Sequence, residues 1–115
     1  MDCLLASHSL DVRGANHCLS SMRLSTCWIG GGASCAPRQH AAVLDAALAN
    51  DFVAARAAMD RLMPLMRCLE GGSYAQKVKR GCELLGIAVG SPRQPLLPLS
   101  EADRIEFDRI FQACK

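Results

Sequence analysis

Seven cysteines and three histidines are the side chains of this 115-residue chain with the most obvious chemical potential. Thiolate and imidazole groups bind zinc when they stand close together along the chain. No two cysteines form a C-x-x-C pair, and no histidine stands at a ligand spacing from a cysteine. The sequence therefore predicts no metal site and no cofactor. The later cysteines are expected to be reduced thiols on apolar helix faces: Cys68, Cys82 and Cys114.

Cys35 and His40 combine a nucleophile with a base, five residues apart at a predicted junction between a loop and a helix. A thiol and an imidazole can catalyse a reaction together when a third group orients the imidazole. No such third group is evident in the sequence, which disfavours a cysteine-based enzyme.

The apolar run Cys27-Trp28-Ile29 ends in Gly30-Gly31-Gly32, which predicts a short buried strand followed by a tight loop. A glycine-rich loop after a strand can bind phosphate through its backbone N–H groups. Here neither a G-x-G-x-x-G spacing nor a following Lys-Ser/Thr pair is present. Close backbone packing is therefore the favoured role of these glycines.

The elements that must position these residues are helical. Half of the residues are hydrophobic, 21% are charged and only 4% are aromatic, and the apolar residues are mainly Ala and Leu, a composition that favours helices over strands. A net charge of +2 is too small to indicate a nucleic-acid partner. No stretch reaches the roughly 20 apolar residues of a membrane span. The first residues lack the features of a secretory signal, so we expect a cytoplasmic protein.

Local signals divide the chain from Pro37 onward into four helices. Pro37 is predicted to open a helix that ends near Ala49, and Asn50 suits a left-handed stop. Asp51 is expected to cap a second helix, which Pro64 should kink and Gly71-Gly72 should end. Residues on one side of this helix recur at helical spacing and are predicted to face the core: Phe52, Ala55, Met59, Leu62, Met66 and Leu69.

The third helix is predicted to start at Ser73, with Gln76 completing a capping box, and to end at Gly86. Ile87 to Leu99 is predicted to be an extended connector in which Pro92, Pro95 and Pro98 recur every third residue. This spacing indicates a strap against neighbouring helices more than a ligand for a partner. Ser100 and Asp103 should cap the last helix. The side chains expected to face inward are Tyr74, Val78, Cys82 and Leu85 on the third helix and Ala102, Ile105, Ile110, Phe111 and Cys114 on the last.

These residues, taken in order, resemble the C-terminal end of the dihydrodipicolinate synthase and N-acetylneuraminate lyase family. The resemblance covers about residues 26–114 and is most specific between Arg61 and Leu99. The matching segments are Trp28-Ile29-Gly30, Ala36-Pro37-Arg38, Asn50-Asp51, Arg61 to Leu65, Lys79 to Gly86 and Arg93 to Ser100.

The resemblance implies a (β/α)8 barrel with a helical C-terminal extension, usually assembled as a tetramer. It also implies a pyruvate- or 2-keto-acid-dependent lyase, in which a strand lysine forms a Schiff base and a tyrosine transfers protons. Residues 26–50 would be the last barrel strand and helix, and 51–115 the extension, whereas 1–25 are unassigned and expected to be poorly ordered. Ile29 would line the keto-acid pocket, and Ser34 stands where many relatives have Asn.

The predicted fold class is therefore mainly α: the helical C-terminal fragment of a TIM barrel, with at most one short residual strand. Such a barrel needs about 250 residues, and several strand ends build its site. Lys77 and Lys79 lie on a predicted helix and Lys115 ends the sequence, so no catalytic residue is expected. The sequence does not decide whether the chain has enzymatic activity. The leading hypothesis is a truncated remnant of a Schiff-base-forming, 2-keto-acid-dependent lyase that is inactive on its own. The alternative is a small helical interaction module that self-associates, or binds a partner, through exposed apolar helix faces.

Overall fold

The computed structural model describes residues 31–115, which form one 3-10 turn and four α-helices connected by short loops and one longer connector. The turn spans Gly31–Ser34, and the helices are α1 (Pro37–Leu48), α2 (Phe52–Glu70), α3 (Tyr74–Leu84) and α4 (Glu101–Cys114). The prediction of a mainly α chain is confirmed for these residues, among which no strand occurs. The predicted strand Cys27-Trp28-Ile29 and residues 1–25 lie outside the described part.

Three helix starts and one stop follow the local signals of the sequence. Pro37 is the first residue of α1, where its missing N–H costs no hydrogen bond. Asn50 adopts a positive φ of 59° between α1 and α2. The Asp51 carboxylate accepts a hydrogen bond from the Ala54 backbone N–H at 3.0 Å. Ser100 Oγ accepts one from the Asp103 backbone N–H at 3.1 Å, so both predicted N-caps are confirmed.

The capping box predicted at the start of α3 is wrong. Ser73 has a left-handed backbone with φ 53°, and its side chain makes no capping hydrogen bond. An N-cap side chain reaches the first turn from an extended backbone, a geometry that the left-handed Ser73 does not have. The Gln76 amide instead donates to the Leu97 carbonyl at 3.1 Å and so holds the connector between α3 and α4 (residues 85–100) against α3.

The core lies where α1 and α4 pack against α2. The predicted stripe of α2 is buried from Ala55 to Leu69, with Phe52 only partly buried at its start. The helix is continuous across Pro64, which lies on its exposed side. There the backbone carbonyl that loses its hydrogen bond can be solvated. A kink at Pro64 stays a prediction.

The buried face of α4 differs from the predicted one. Phe107 is fully buried and stacks on Phe111, with the ring centroids 5.7 Å apart. Ile105 is 61% exposed, and Ala102 is exposed as well. Each residue advances about 100° around a helix, so Ile105, two positions before Phe107, points to the other side. The stripe that reaches the core runs through Phe107 and Phe111, whereas Ile110 and Cys114 lie at its margin.

An ion pair joins α3 to α4 outside this core. The Arg80 guanidinium donates to both carboxylate oxygens of Asp108, at 2.9 Å and 2.7 Å. Two parallel hydrogen bonds fix the relative orientation of the helices as well as their distance. Within the described residues, no helix has the length and apolar character needed to cross a membrane.

Candidate functional site

The turn Gly31–Ser34 is the first place to look for a functional site, because it directly follows the strand that the sequence predicts and strand ends build the sites of barrel enzymes. Its glycines lie close to neighbouring side chains. A Cβ atom on Gly31 would collide with the Tyr74 hydroxyl, and one on Gly32 would lie 2.9 Å from Met66 Sδ and 3.1 Å from His40 Nε2. These contacts support close backbone packing, the role that the sequence favoured for the glycine run.

Cys35 and His40 flank the turn, but their environments do not suit nucleophilic catalysis. Cys35 is fully buried, and its thiol donates to the Gly32 carbonyl at 3.3 Å. Burial raises the pKa of this thiol to about 11, so it stays protonated at neutral pH, whereas the thiolate is the nucleophile. The hydrogen bond of the thiol thus goes to the backbone.

His40 is also buried, and its Nδ1–H donates to the Ala36 carbonyl at 2.8 Å. Burial lowers the pKa of His40 below its ordinary 6.5, and this outweighs the hydrogen bond to Ala36, which favours the charged form. The ring is therefore neutral and anchored to the start of its own helix. Neither Cys35 nor His40 is poised for catalysis.

Lys77 is buried, which the sequence pattern does not predict. It is 8% exposed, and its ammonium donates to the Cys68 carbonyl at 2.7 Å. Cys68 belongs to the last turn of α2, where backbone carbonyls lack partners within the helix and the helix dipole favours a positive charge. Lys77 therefore caps the C-terminal end of α2. Gly81, one turn further along the same face of α3, is a residue type in the sequence that indicates close packing of this face.

Lys79 and Tyr74 have structural contacts of their own. The Lys79 ammonium donates to the Val89 carbonyl at 2.9 Å and, more weakly, to that of Gly90 at 3.4 Å. It thus ties the connector to α3. Tyr74 is 43% exposed, so the prediction that it faces inward is wrong. It is the first residue of α3, and only its hydroxyl end reaches Gly31.

Leu85 is 39% exposed, so the prediction that it faces inward is also wrong. It stands at the C-cap of α3, beyond the last helical residue. Cys82 is buried and Val78 partly buried, as expected. The inward face of α3 is therefore shorter than the sequence predicts, because Tyr74 is the first helical residue and Leu85 lies beyond the last one.

Ile29, the one residue expected to line a substrate pocket, lies outside the described residues, and its role stays a prediction. Close to the turn is a shallow, open depression of about 200 Å³. Its walls are mainly apolar and are formed by Ala33, Pro37, His40, Ala41 and Leu44. Ser34 is exposed, and its carbonyl accepts a hydrogen bond from the Cys82 thiol at 3.4 Å. Across residues 31–115, no three His, Cys, Asp or Glu side chains are placed to hold a metal ion.

Comparison with known proteins identifies the family to which this chain belongs. Residues 14–114 match the model of the dihydrodipicolinate synthetase family, so the match begins before Thr26, the start that the residue-by-residue resemblance indicates. The chain is 41% identical over 66 residues to the 4-hydroxy-tetrahydrodipicolinate synthase of Exiguobacterium sibiricum, covering 57% of this chain and 22% of the relative. No solved structure matches the chain.

Two further relatives carry the same name. The Methanosarcina barkeri protein is 38% identical over 71 residues, covering 62% of this chain and 24% of the relative. The Thermomicrobium roseum protein is 39% identical over 82 residues, covering 71% of this chain and 27% of the relative. The chain thus spans about a quarter of the length of the curated relatives it matches.

Proposed function

Because the chain belongs to the dihydrodipicolinate synthetase family, we propose that it forms the C-terminal helical part of a Schiff-base-forming, 2-keto-acid-dependent lyase. We propose further that these 115 residues alone do not catalyse the lyase reaction. The observation that carries both statements is the family match over residues 14–114, combined with the positions of the three lysines of the chain.

The helical order supports the assignment to the end of a barrel enzyme. The turn Gly31–Ser34 leads into α1, as a loop after the last barrel strand leads into the last barrel helix. In this proposal residues 26–50 are that strand and helix, with Ile29 on the keto-acid pocket. Residues 51–115, with α2, α3 and α4, form the extension that packs behind them.

The lysines support inactivity of the chain on its own. An imine forms when a neutral lysine amine attacks a carbonyl, which requires an accessible, desolvated amine near a substrate cavity. The Lys77 ammonium is occupied by the Cys68 carbonyl, and that of Lys79 by the connector. Lys115 is the last residue, and its ammonium lies 5.5 Å from the centre of the Phe111 ring. None of the three stands at the end of a strand.

The single tyrosine does not offer a proton shuttle either. Although Tyr74 is partly exposed, desolvation of its hydroxyl raises its pKa, and the nearby Cys35 and Glu70 raise it further. A phenol with a raised pKa gives up its proton less readily at neutral pH. The lysine amines described above are held elsewhere, so the pairing of lysine and tyrosine that the family chemistry implies is not assembled by α3.

The exposed apolar side chains do not favour a separate interaction module. They come from every helix and from the connector: Leu48, Val53, Tyr74, Leu85, Ile87, Leu96, Leu97 and Ile105. Exposure of this kind suits burial against the remainder of a barrel enzyme as well as burial against a second copy of this chain.

Reductive trapping tests the proposal. The chain is incubated with pyruvate and sodium borohydride, which converts any imine into a stable secondary amine, and the products are mapped by mass spectrometry. The full-length synthase of Exiguobacterium sibiricum serves as the positive control. We expect a lysine adduct on that enzyme and none on this chain.

Two variants locate any adduct that does form. Lys77→Met removes the buried amine and Lys79→Met removes the amine that holds the connector, with similar side-chain length in both. A pyruvate adduct on this chain that disappears in only one of them would identify an active lysine and refute the inactive assignment.

A further inference from the structure

Two cysteines that are distant in sequence meet at the turn Gly31–Ser34. The Cys35 thiol donates to the Gly32 carbonyl at 3.3 Å. The Cys82 thiol donates to the Ser34 carbonyl at 3.4 Å, across 48 residues of chain. Ser34 is bonded directly to Cys35, so the Cys82 sulfur lies beside the backbone of Cys35. Both thiols are free in this structure.

A second contact brings Cys35 against the backbone of α3. A Cβ atom on Gly81 would collide with Cys35 Cβ and would lie 3.2 Å from its Sγ. Because glycine has no Cβ, the Cys35 side chain can lie against the helix one residue before Cys82. The two cysteines therefore approach each other from both sides, Cys82 towards the turn and Cys35 towards the helix.

We propose that Cys35 and Cys82 form a reversible disulfide that locks the turn Gly31–Ser34 to α3 when the protein meets a peroxide. A disulfide requires Cα atoms about 4.4–6.8 Å apart. The contact of Cys35 with Gly81 and that of Cys82 with Ser34 place the two side chains on adjoining backbone segments, so the disulfide would join residues that are already neighbours in the fold. Bond formation replaces two weak S–H···O hydrogen bonds.

The chemistry balances with hydrogen peroxide as the oxidant. Cys82 is 7% exposed and Cys35 fully buried, so peroxide meets Cys82 first. The Cys82 sulfur takes one peroxide oxygen, becomes a sulfenic acid, and one water is released. The Cys35 sulfur then attacks the sulfenic sulfur and loses its proton, and the hydroxyl group leaves as a second water. Both sulfurs are oxidised and the peroxide is reduced; a dithiol reductant reverses the reaction.

The environment of Cys35 sets the rate of the second step. Its thiol is fully buried and its pKa is about 11, so the thiolate is scarce at neutral pH. Raising the pH therefore accelerates the pairing. The disulfide closes a loop that contains α1 and α2, which restricts the unfolded chain. The oxidised protein is thus expected to unfold at a higher temperature than the reduced one.

Peptide mapping under non-reducing conditions tests this inference. Trypsin leaves Cys27 and Cys35 in one peptide, so the experiment uses the full chain carrying Cys27→Ser. The reduced protein is treated with hydrogen peroxide, free thiols are alkylated, and the digest is analysed by mass spectrometry. We expect the Gly81–Arg93 peptide to be joined to the peptide that contains Cys35, with loss of two hydrogens, and to be released by a dithiol reductant.

Matched variants separate this pair from the other thiols. Cys35→Ser and Cys82→Ser should each abolish the cross-link and the rise in unfolding temperature, whereas Cys68→Ser should retain both. The inference is overturned if the Cys82 thiol remains free after peroxide treatment and is therefore found alkylated. It is also overturned if Cys82 forms its disulfide with Cys114, Cys68 or a mixture of partners. Circular dichroism of each reduced variant verifies that the helices are intact.

Discussion

Replacement of Gly81 by alanine tests the contact between α3 and the turn. The added methyl group would collide with Cys35 Cβ and lie 3.4 Å from Phe107 Cζ. Cys35 is fully buried, and its Cβ atom is fixed to the backbone, so it cannot move aside without shifting an element, whereas the distance to Phe107 is an ordinary contact. Overpacking of this kind costs about 1–3 kcal/mol, and the fixed position of Cys35 Cβ places Gly81→Ala near the upper end.

The intrinsic preference of a helix acts in the opposite direction. Alanine is favoured over glycine in a helix interior by about 1 kcal/mol. The expected net result is a decrease of roughly 1–2 kcal/mol in the free energy of unfolding, taking both effects together. Urea unfolding followed by far-UV circular dichroism measures it.

Two controls distinguish the collision from a general effect of adding a methyl group. Gly71 has a φ of −69°, and the nearest atoms to an added Cβ are at 3.4 and 3.5 Å. Gly71→Ala should therefore change stability by less than about 0.5 kcal/mol. Combining Gly81→Ala with Cys35→Gly removes the colliding atom and should cost less than the sum of the single changes. A Gly81→Ala variant as stable as the parent chain would refute the packing argument.

Three further predictions concern charge and capping. Asp108→Asn should lower the free energy of unfolding by about 1 kcal/mol at neutral pH. The hydrogen bond from Arg80 holds the pKa of Asp108 below 3.8, so the difference should shrink as the pH falls below that value; a difference unchanged by acid would contradict this. Burial holds the pKa of His40 below 6.5, so its contribution is present above pH 6.5 and is lost as acid charges the ring. Urea titrations between pH 7 and 5 should show a smaller decrease in stability for His40→Gln than for the parent chain. Asp51→Ala removes the N-cap of α2 and should cost about 1 kcal/mol in urea unfolding, whereas the exposed Asp60→Ala should cost less.

The helix boundaries could be predicted because their signals are local. Pro37, Asp51 and Ser100 act on backbone groups within three residues, so the sequence contains both partners of each interaction. The buried face of α2 could also be predicted, since a strong 3.6-residue period in the sequence shows it without knowledge of the neighbouring elements. The capping box predicted at Ser73 was wrong because the left-handed backbone of this residue depends on how the loop after Gly71-Gly72 enters α3.

Fewer features of the candidate site could be predicted from the sequence. The resemblance identified the family that the comparison establishes, and the helix pattern placed Lys77 and Lys79 on a helix, as the structure does. It did not reveal that Lys77 is buried on the Cys68 carbonyl. That contact joins the end of α2 to α3, and such a contact has no periodic signal. The role of Ile29 stays a prediction.

The sequence alone determined the family, through residue identities along the chain. It also determined most of the helix boundaries, because these depend on neighbours within one or two turns. The tertiary structure decided which side chains are buried: Phe107 instead of Ile105, Lys77 as a helix cap, and Cys35 against the bare backbone of Gly81. Burial is a property of two surfaces that meet, and the amphipathic pattern of a single short helix does not specify the surface opposite it.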